Sequence, residues 1–309
     1  MPGTSTVQAL GWEWPELDDR GRAPYRGTAR ARYTYRGDGF ALGAFSSARR
    51  DPLWTQVSWL GDGHHIVFPT TGVGICVMSE DPFLTGPNHV VLCNPGDQYK
   101  RQSAAAVGDW SIFMIVKPER LLEHVGLSKF VEGGSLRFAS RMVPLTPRAH
   151  LARWALIRYL ALEPDPDQGL VEDACCFILD RVLDAAKECS STSVRRPVVN
   201  EAMALLLRSF PEPLTLDRIA KELYVSLFHL ARLFKAETSY TLHGYVTQLR
   251  LRRALDLLAD RHLEVRDVGA RVGFNTHSHF SESFRRSFGV TPSFVRRMDA
   301  TRLRTVLVA

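Results

Sequence analysis

Leu216-Asp217-Arg218-Ile219-Ala220-Lys221-Glu222-Leu223-Tyr224-Val225-Ser226-Leu227-Phe228-His229-Leu230-Ala231-Arg232-Leu233-Phe234-Lys235 has a second version about fifty residues on: Val265-Arg266-Asp267-Val268-Gly269-Ala270-Arg271-Val272-Gly273-Phe274-Asn275-Thr276-His277-Ser278-His279-Phe280-Ser281-Glu282-Ser283-Phe284-Arg285. Ile219 matches Val268 and Leu223 matches Val272 at an offset of 49, while Leu230 matches Phe280 and Phe234 matches Phe284 at an offset of 50. The extra residue falls in the turn, where an insertion costs least. Each copy reads as a short helix, a tight turn and a second helix with an apolar stripe. Two such units in one chain predict a protein that reads two neighbouring segments of DNA groove without needing a partner.

The local chemistry agrees with that pattern. Thr215 can cap the first short helix, with Ile219, Ala220 and Leu223 turned inward, and Ala220 is small enough for the second helix to cross closely. Ser226 is a good N-cap for that second helix. Leu230, Leu233 and Phe234 form its buried stripe, and Phe228, His229, Ala231, Arg232 and Lys235 its open face. In the second unit Thr276 is the expected cap, Phe280, Phe284 and Phe288 are buried, and His277, Ser278, Ser281 and Glu282 face outward. Leu242–Ala259 reads as an amphipathic connecting helix of about 27 Å at 1.5 Å per residue. Successive major-groove visits on one face of B-DNA lie about 34 Å apart, so the connector suits the separation. Its Arg250, Arg252 and Arg253 are expected to be solvated or to add to a positive field.

Charge is placed accordingly. The whole chain carries a formal net charge of +6 over 309 residues. From Arg195 onward there are 19 Lys/Arg against 11 Asp/Glu, whereas residues 1–194 have 20 against 22. The positive excess sits with the duplicated unit, where phosphates would be met; a basic domain without a nucleic-acid role is the alternative reading. Hydrophobic residues make up 45%, enough for a sizeable core. There is no run of about 18 apolar residues to span a membrane, and residues 1–30 lack the apolar stretch of a signal peptide, so a cytoplasmic protein is expected. The five cysteines, Cys76, Cys93, Cys175, Cys176 and Cys189, have no zinc-type spacing. Their odd number argues against a disulfide framework.

The rest of the chain divides by texture. Residues 1–30 read as a loosely packed lead-in. Phe40–Phe45, Gln56–Trp59, His65–Phe68, Val73–Met78, His89–Cys93 and Ser111–Val116 are candidate strands separated by turn clusters, which implies a small barrel or sandwich. Glu119–His124 is a short helix. Pro147–Glu163 and Gly169–Cys189 carry helical periodicity on either side of Pro164-Asp165-Pro166-Asp167, making a helical hairpin. The hairpin either packs against the β unit, dimerises, or relays to the next domain. Ser190-Ser191-Thr192-Ser193 is the best linker, and Val198–Ser209 leads into the duplicated units. The expected organisation is 1–145, β-rich; 146–194, hairpin and linker; 195–300, two helix-turn-helix units; and 301–309, a tail.

Ser226, Leu230, Arg232, Phe234-Lys235, Arg250, Ala254 and Leu257-Leu258, then Val268, Gly273-Phe274, Phe280, Phe284-Arg285, Gly289, Thr291-Pro292 and Arg296, resemble the AraC/XylS family of transcription regulators in order and spacing. The resemblance spans residues 198–298. Two positions depart from it: Ser239 stands where the family has Gly after the first recognition helix, and Gly269 where it has Ala. Carried over residue by residue, the resemblance implies base readout by Phe228, His229, Ala231 and Arg232 in the first unit and by His277, Ser278, Ser281 and Glu282 in the second. Arg232 suits a bidentate contact to guanine, and Phe228 and Ala231 suit thymine methyls. Glu282 either accepts from cytosine N4 or pairs with Arg285 or Arg286 on its own helix. Thr215, Ser226, Lys235, Thr276, Arg285 and Arg286 are phosphate candidates.

Residues from about His64 to Lys117, above all Gly86-Pro87-Asn88-His89-Val90-Val91-Leu92-Cys93-Asn94-Pro95-Gly96-Asp97, resemble the small β-barrel sensor half of many AraC-type regulators, whose architecture is cupin-like. The expected fold is therefore α+β and multidomain: a small cupin-like β-barrel, a helical hairpin and an all-α double helix-turn-helix domain. The resemblance implies a DNA-binding regulator at the bacterial nucleoid, an activator or a repressor according to promoter position. Its partners would be double-stranded DNA, a small-molecule effector, RNA polymerase and a second copy of the chain, with no cofactor. A cupin-type metalloenzyme is the rival. It lacks the family's His-x-His set, and a strand would send the adjacent His64 and His65 to opposite faces, so no metal and no catalytic residue is expected. Cys76 and Cys93 lie on candidate strands and could be neighbours, which leaves a redox-switched regulator beside the reading of both as small buried hydrophobes.

Overall fold

The structure, a computed structural model, describes residues 30–47, 54, 56–61, 63–78, 80–103, 108–124, 131–132, 135–188, 196–212 and 215–308. Nearly all of the expected lead-in, Cys189 and the linker Ser190-Ser191-Thr192-Ser193 lie outside the described residues. The N-terminal half is β-rich. Strands β1 (Arg30–Arg36), β2 (Phe40–Ser47), β3 (Ser58–Trp59), β4 (His64–Pro69), β5 (Val73–Val77), β6 (Phe83–Thr85), β7 (His89–Cys93), β8 (Gln98–Ser103) and β9 (Asp109–Val116) precede the short helix α1 (Pro118–His124). The two-residue ribbon β10 (Val131–Glu132) and β11 (Ser135–Leu136) and the strand β12 (Met142–Pro144) complete it.

These strands form two sheets, one ordered β1-β2-β9-β4-β7-β12 and the other β3-β8-β5-β6. The expected closed barrel is corrected: among the described residues no ladder joins the sheets, and of the barrel and sandwich open to the sequence the facing pair of sheets is what forms. The middle of the six-stranded sheet is covered on both faces, which is why all five residues of β7 are buried and why it reads as an apolar run. Phe40, Leu42, Ile66, Phe68, Leu92 and Met114 join one core with the helical hairpin α2 (Pro147–Leu162) and α3 (Gln168–Glu188). The opposite face, with Val67, Val91 and Cys93, meets Val73, Ile75 and Val77 of the smaller sheet. Thr146 caps α2, its hydroxyl accepting from the Ala149 amide at 3.2 Å. Residues Ala149 to Leu156 of α2 are all buried. A helix buried all round must be enclosed on every side, and α2 lies between the sheet and the C-terminal helices.

The C-terminal part is helical: α4 (Pro197–Ser209), α5 (Leu216–Glu222), α6 (Leu227–Thr238), α7 (Leu242–Leu258), α8 (Val265–Arg271), α9 (His277–Phe288), α10 (Pro292–Val295) and α11 (Ala300–Val308). The last corrects the expected tail: Leu303 and Val306 are buried, and Arg304 pairs with Asp167 at 2.6 Å. The two helix-turn-helix units have different cores. Around α5 and α6, Ile219, Ala220, Leu230, Leu233 and Phe234 pack with Val199, Met203 and Tyr245 in a core of their own. Around α8 and α9, Val268, Phe280, Phe284 and Phe288 are continuous with the core of the hairpin and the large sheet.

Candidate nucleic-acid interface

In the first unit Ser226 turns the chain into α6, its hydroxyl accepting from the His229 amide at 3.2 Å. Thr276 does the same for α9 through the His279 amide at 3.2 Å. Thr215 stands at the N-cap of α5, but its side chain makes no cap bond, a correction to the sequence reading. The buried stripes follow the expected positions, with Leu230, Phe234, Phe280 and Phe284 all at 0% exposure. The remaining side chains project from the open face. Phe228 is 81% exposed, His229, Arg232 and Lys235 are exposed, and Ala231 is half-buried. In the second unit His277, Ser278, Glu282, Arg285 and Arg286 are exposed and Ser281 is half-buried. Glu282 binds Arg286 at 2.5 Å, so of the two readings open to the sequence the intrahelical pair is the one that forms.

Backbone strain marks the first unit. Ser239 ends α6 in the left-handed region at φ 63°, where Gly289 ends α9 at φ 77°. The turn into the recognition helix also needs that conformation: Gly273 supplies it at φ 92°, while its counterpart Tyr224 adopts φ 54° and is 96% exposed. Sequence reasoning missed Tyr224, although the aligned glycine marks the position. Gly269 has its own reason. A Cβ there would lie 2.9 Å from the Phe280 ring, so the larger residue under this helix crossing excludes the usual alanine.

Two of the three arginines of α7 correct the expected open positive face, while Arg253 stays exposed. Arg250 donates to the Phe210 carbonyl at 2.8 Å and the Glu212 carbonyl at 3.0 Å. Arg253 sits 3.7 Å from Asp256. Arg252 is 2% exposed and crosses to the β-rich half, donating to the Leu145 carbonyl at 2.5 Å and to the Pro87 carbonyl. Burial lowers its pKa to about 10, so it stays charged at neutral pH. Beside it, Asn88 donates to the Tyr245 carbonyl at 3.0 Å and the Tyr240 hydroxyl reaches the Leu145 carbonyl at 3.4 Å. His150 of α2 lies 3.3 Å from Arg252, and burial with the charges of Arg153 and Arg252 holds it well below the usual histidine range.

The two sheets enclose a cavity that is in part open to solvent. Its wall is mostly apolar, with Phe45, Val67, Val91 and Phe113, and includes His65, Cys93, Tyr99, Arg101, Asp97 and Asp109. His65 is held neutral down to about pH 4 by burial, with its Nδ1 on the Gly63 carbonyl at 3.0 Å. His64 points away, its Nε2 on the Leu136 carbonyl at 2.9 Å and its ring against Phe138. Among the described residues no group of three or more His, Cys, Asp or Glu is placed to hold a metal ion. Cys93 faces the cavity and burial pushes its thiol up to about 12. Cys76 is on the other sheet and lines an outer groove with Gly74, Lys100 and Gln102. The expected neighbouring thiols are therefore on different surfaces, because strand alternation turns Cys76 outward between Ile75 and Val77.

Residues 219–298 match the family model described as a helix-turn-helix domain. Over 96 residues the chain is 36% identical to the HTH-type transcriptional regulator ArgR of Pseudomonas aeruginosa, covering 31% of this chain and 29% of that protein. The match spans only about a third of the length of the first curated relatives. A longer one is to the HTH-type transcriptional activator RhaS of Shigella dysenteriae, 34% identical over 245 residues, covering 76% of this chain and 86% of RhaS. The chain belongs to the AraC family of DNA-binding transcription regulators. An AraC-type regulator structure from Chromobacterium violaceum is 36% identical, with a TM-score of 0.31, covering 34% of this chain and 92% of that one. These relatives are named as transcription regulators.

Proposed function

We propose that this AraC-family chain is a sequence-specific regulator whose two recognition helices enter neighbouring major-groove segments, with its output set by a small molecule held between the two N-terminal sheets. The observation that carries the reading is the contrast across α6 and α9: their inward stripes are fully buried, and the side chains that would meet DNA stand open. In the first unit Arg232 is the base-reading residue for guanine, with Phe228, His229 and Ala231 around it. Lys235 and Ser226 take phosphate oxygens. In the second unit His277, Ser278 and Ser281 face the groove. Glu282 is held by Arg286, so Arg285 and Thr276 carry the phosphate contacts. The first unit specifies sequence and the second mainly anchors. Thr215, whose side chain makes no cap bond at the start of α5, also suits a phosphate.

The cavity between the sheets supports an effector site, and the facing sheets support kinship with the cupin-like sensors. The hairpin's part as a relay is favoured by its core, which runs from the large sheet into α9. By likeness to RhaS, named an activator, we infer activation through RNA polymerase by a homodimer. Such a protein works on chromosomal DNA in the cytoplasm, and among the described residues no helix is long and apolar enough to cross a membrane. The test is selection of binding sites from random DNA with the full chain, followed by Arg232→Ala. Substitution of a bidentate guanine contact should cost about 1–3 kcal/mol and relax preference at one base pair. Unchanged affinity and unchanged preference would remove Arg232 from readout, and salt-independent binding by the whole protein would sink the reading itself.

A further inference from the structure

We propose that the cavity between the two sheets takes a small organic carboxylate with an apolar body, and that Arg101 receives its carboxylate; the proposal rests on reading this cavity as the effector site. Arg101 lies on β8 and is 6% exposed. Its Nη1 donates to Asp109 Oδ2 at 2.7 Å, and Asp109 Oδ1 accepts from the Ser111 hydroxyl at 2.9 Å. Nε and Nη2 are buried and have no hydrogen-bond acceptor among the described residues. These two N–H groups lie on one edge of the planar guanidinium, the fork that takes a carboxylate side-on by two parallel bonds. A buried donor pair of this kind needs an acceptor, and one ligand carboxylate satisfies both at once.

The surroundings select the class further. The guanidinium stacks 3.9 Å from the Phe45 ring centroid and 5.4 Å from that of Trp54, which fixes its plane against the cavity wall. The other charged groups of the wall are already engaged. Asp97 is bound by Arg141 at 2.5 Å, and Asp109 by Arg101 and Ser111. No carboxylate is left to recognise an ammonium group. His65 is neutral, and the rest of the wall is mostly apolar side chains. An aromatic or short aliphatic acid matches this wall: its body lies against Val67, Val91 and Phe113, and its single charge meets Nε and Nη2 of Arg101.

The experiment is calorimetric titration of the full chain with benzoate, phenylacetate and hexanoate. Each is compared with its neutral amide, and benzylamine serves as the cation. Carboxylates are expected to bind at least about tenfold tighter than their amides, the minimum for two charge-assisted bonds. Arg101→Met should remove that preference and Arg101→Lys should recover part of it. The acid–amide comparison needs no variant, so it stands even where Arg101→Met does not fold. Amides or benzylamine binding as well as the acids would overturn the carboxylate assignment and leave the effector site standing. Acids binding wild type and a folded Arg101→Met equally would also overturn it. No binding by any anionic, neutral or cationic probe would overturn the effector reading together with this one.

Discussion

Arg252 is a residue whose removal should loosen the junction between the two halves of the molecule. Arg252→Met keeps the length of the side chain and deletes the guanidinium, so the Pro87 carbonyl loses its charged donor and the Leu145 carbonyl is left with the 3.4 Å contact to Tyr240 among the described residues. A hydrogen bond to a charged group is worth about 1.5–3 kcal/mol net. Two are lost, but the cost of burying the guanidinium is also relieved, which leaves about 2–4 kcal/mol of docking energy. At 1.4 kcal/mol per factor of ten, that shifts the docked population by roughly a hundredfold. Thermal unfolding should fall by about 2–4 °C for each kcal/mol lost. Amide exchange should rise at Asn88, along β12 and at the N-terminal half of α7, while the separate core of α4 to α6 keeps its protection. Arg253→Met is the control, since Arg253 is exposed and pairs with Asp256 at 3.7 Å, and it should change stability by less than about 0.5 kcal/mol. If Arg252→Met unfolds within about 1 kcal/mol of wild type and exchange across the junction is unchanged, the guanidinium does not hold the halves together and the reasoning fails.

Further measurements bear on other parts of the fold. Ser239→Gly should stabilise the protein by about 1 kcal/mol in a denaturant titration, because Ser239 sits at φ 63° where an L side chain is strained. Gly289→Ser, made at the matching cap, should lose a similar amount, and equal stability for both variants would show the strain to be relieved elsewhere. Burial keeps His64, His65 and His150 below the usual histidine range, His65 at about 4. The unfolded chain therefore takes up these protons first as the pH falls below about 6.5, and stability must drop from there toward pH 4. For His65 the whole window amounts to about 3 kcal/mol. Burial raises Asp109 and works in the opposite sense at the acid end. His65→Gln should flatten the curve, and a wild-type profile already level between pH 6.5 and 4.5 would show that the imidazole is not held neutral.

The duplicated unit was legible because a 3.6-residue period, two caps and a turn are local properties. Ser226 and Thr276 cap as expected, and the phenylalanines at 280, 284 and 288 are buried where the period puts them. The strands beside the cavity were less so. Gln98–Ser103 gives no strand signal because Tyr99 and Arg101, which face inward, do not read as an apolar alternation. That strand carries the buried guanidinium on which the ligand proposal depends. The C-terminal helix is hidden for a similar reason: nine residues with two buried apolar positions look like a tail until α2 and α3 supply the surface they cover.

The sequence by itself determined the two helix-turn-helix units, the caps that start their recognition helices, the side chains on their open faces and the excess of positive charge around them. Each follows from spacing along one segment, which the chain carries whatever it packs against. Only the tertiary structure decided what the charged residues between those segments do. Three arginines on one helix read alike, yet Arg250 closes a loop, Arg253 meets Asp256 and Arg252 is buried among carbonyls from residues 87 and 145. A guanidinium's role is set by which acceptors come within about 3 Å of it, and for Arg252 those acceptors are brought there by parts of the chain more than a hundred residues away.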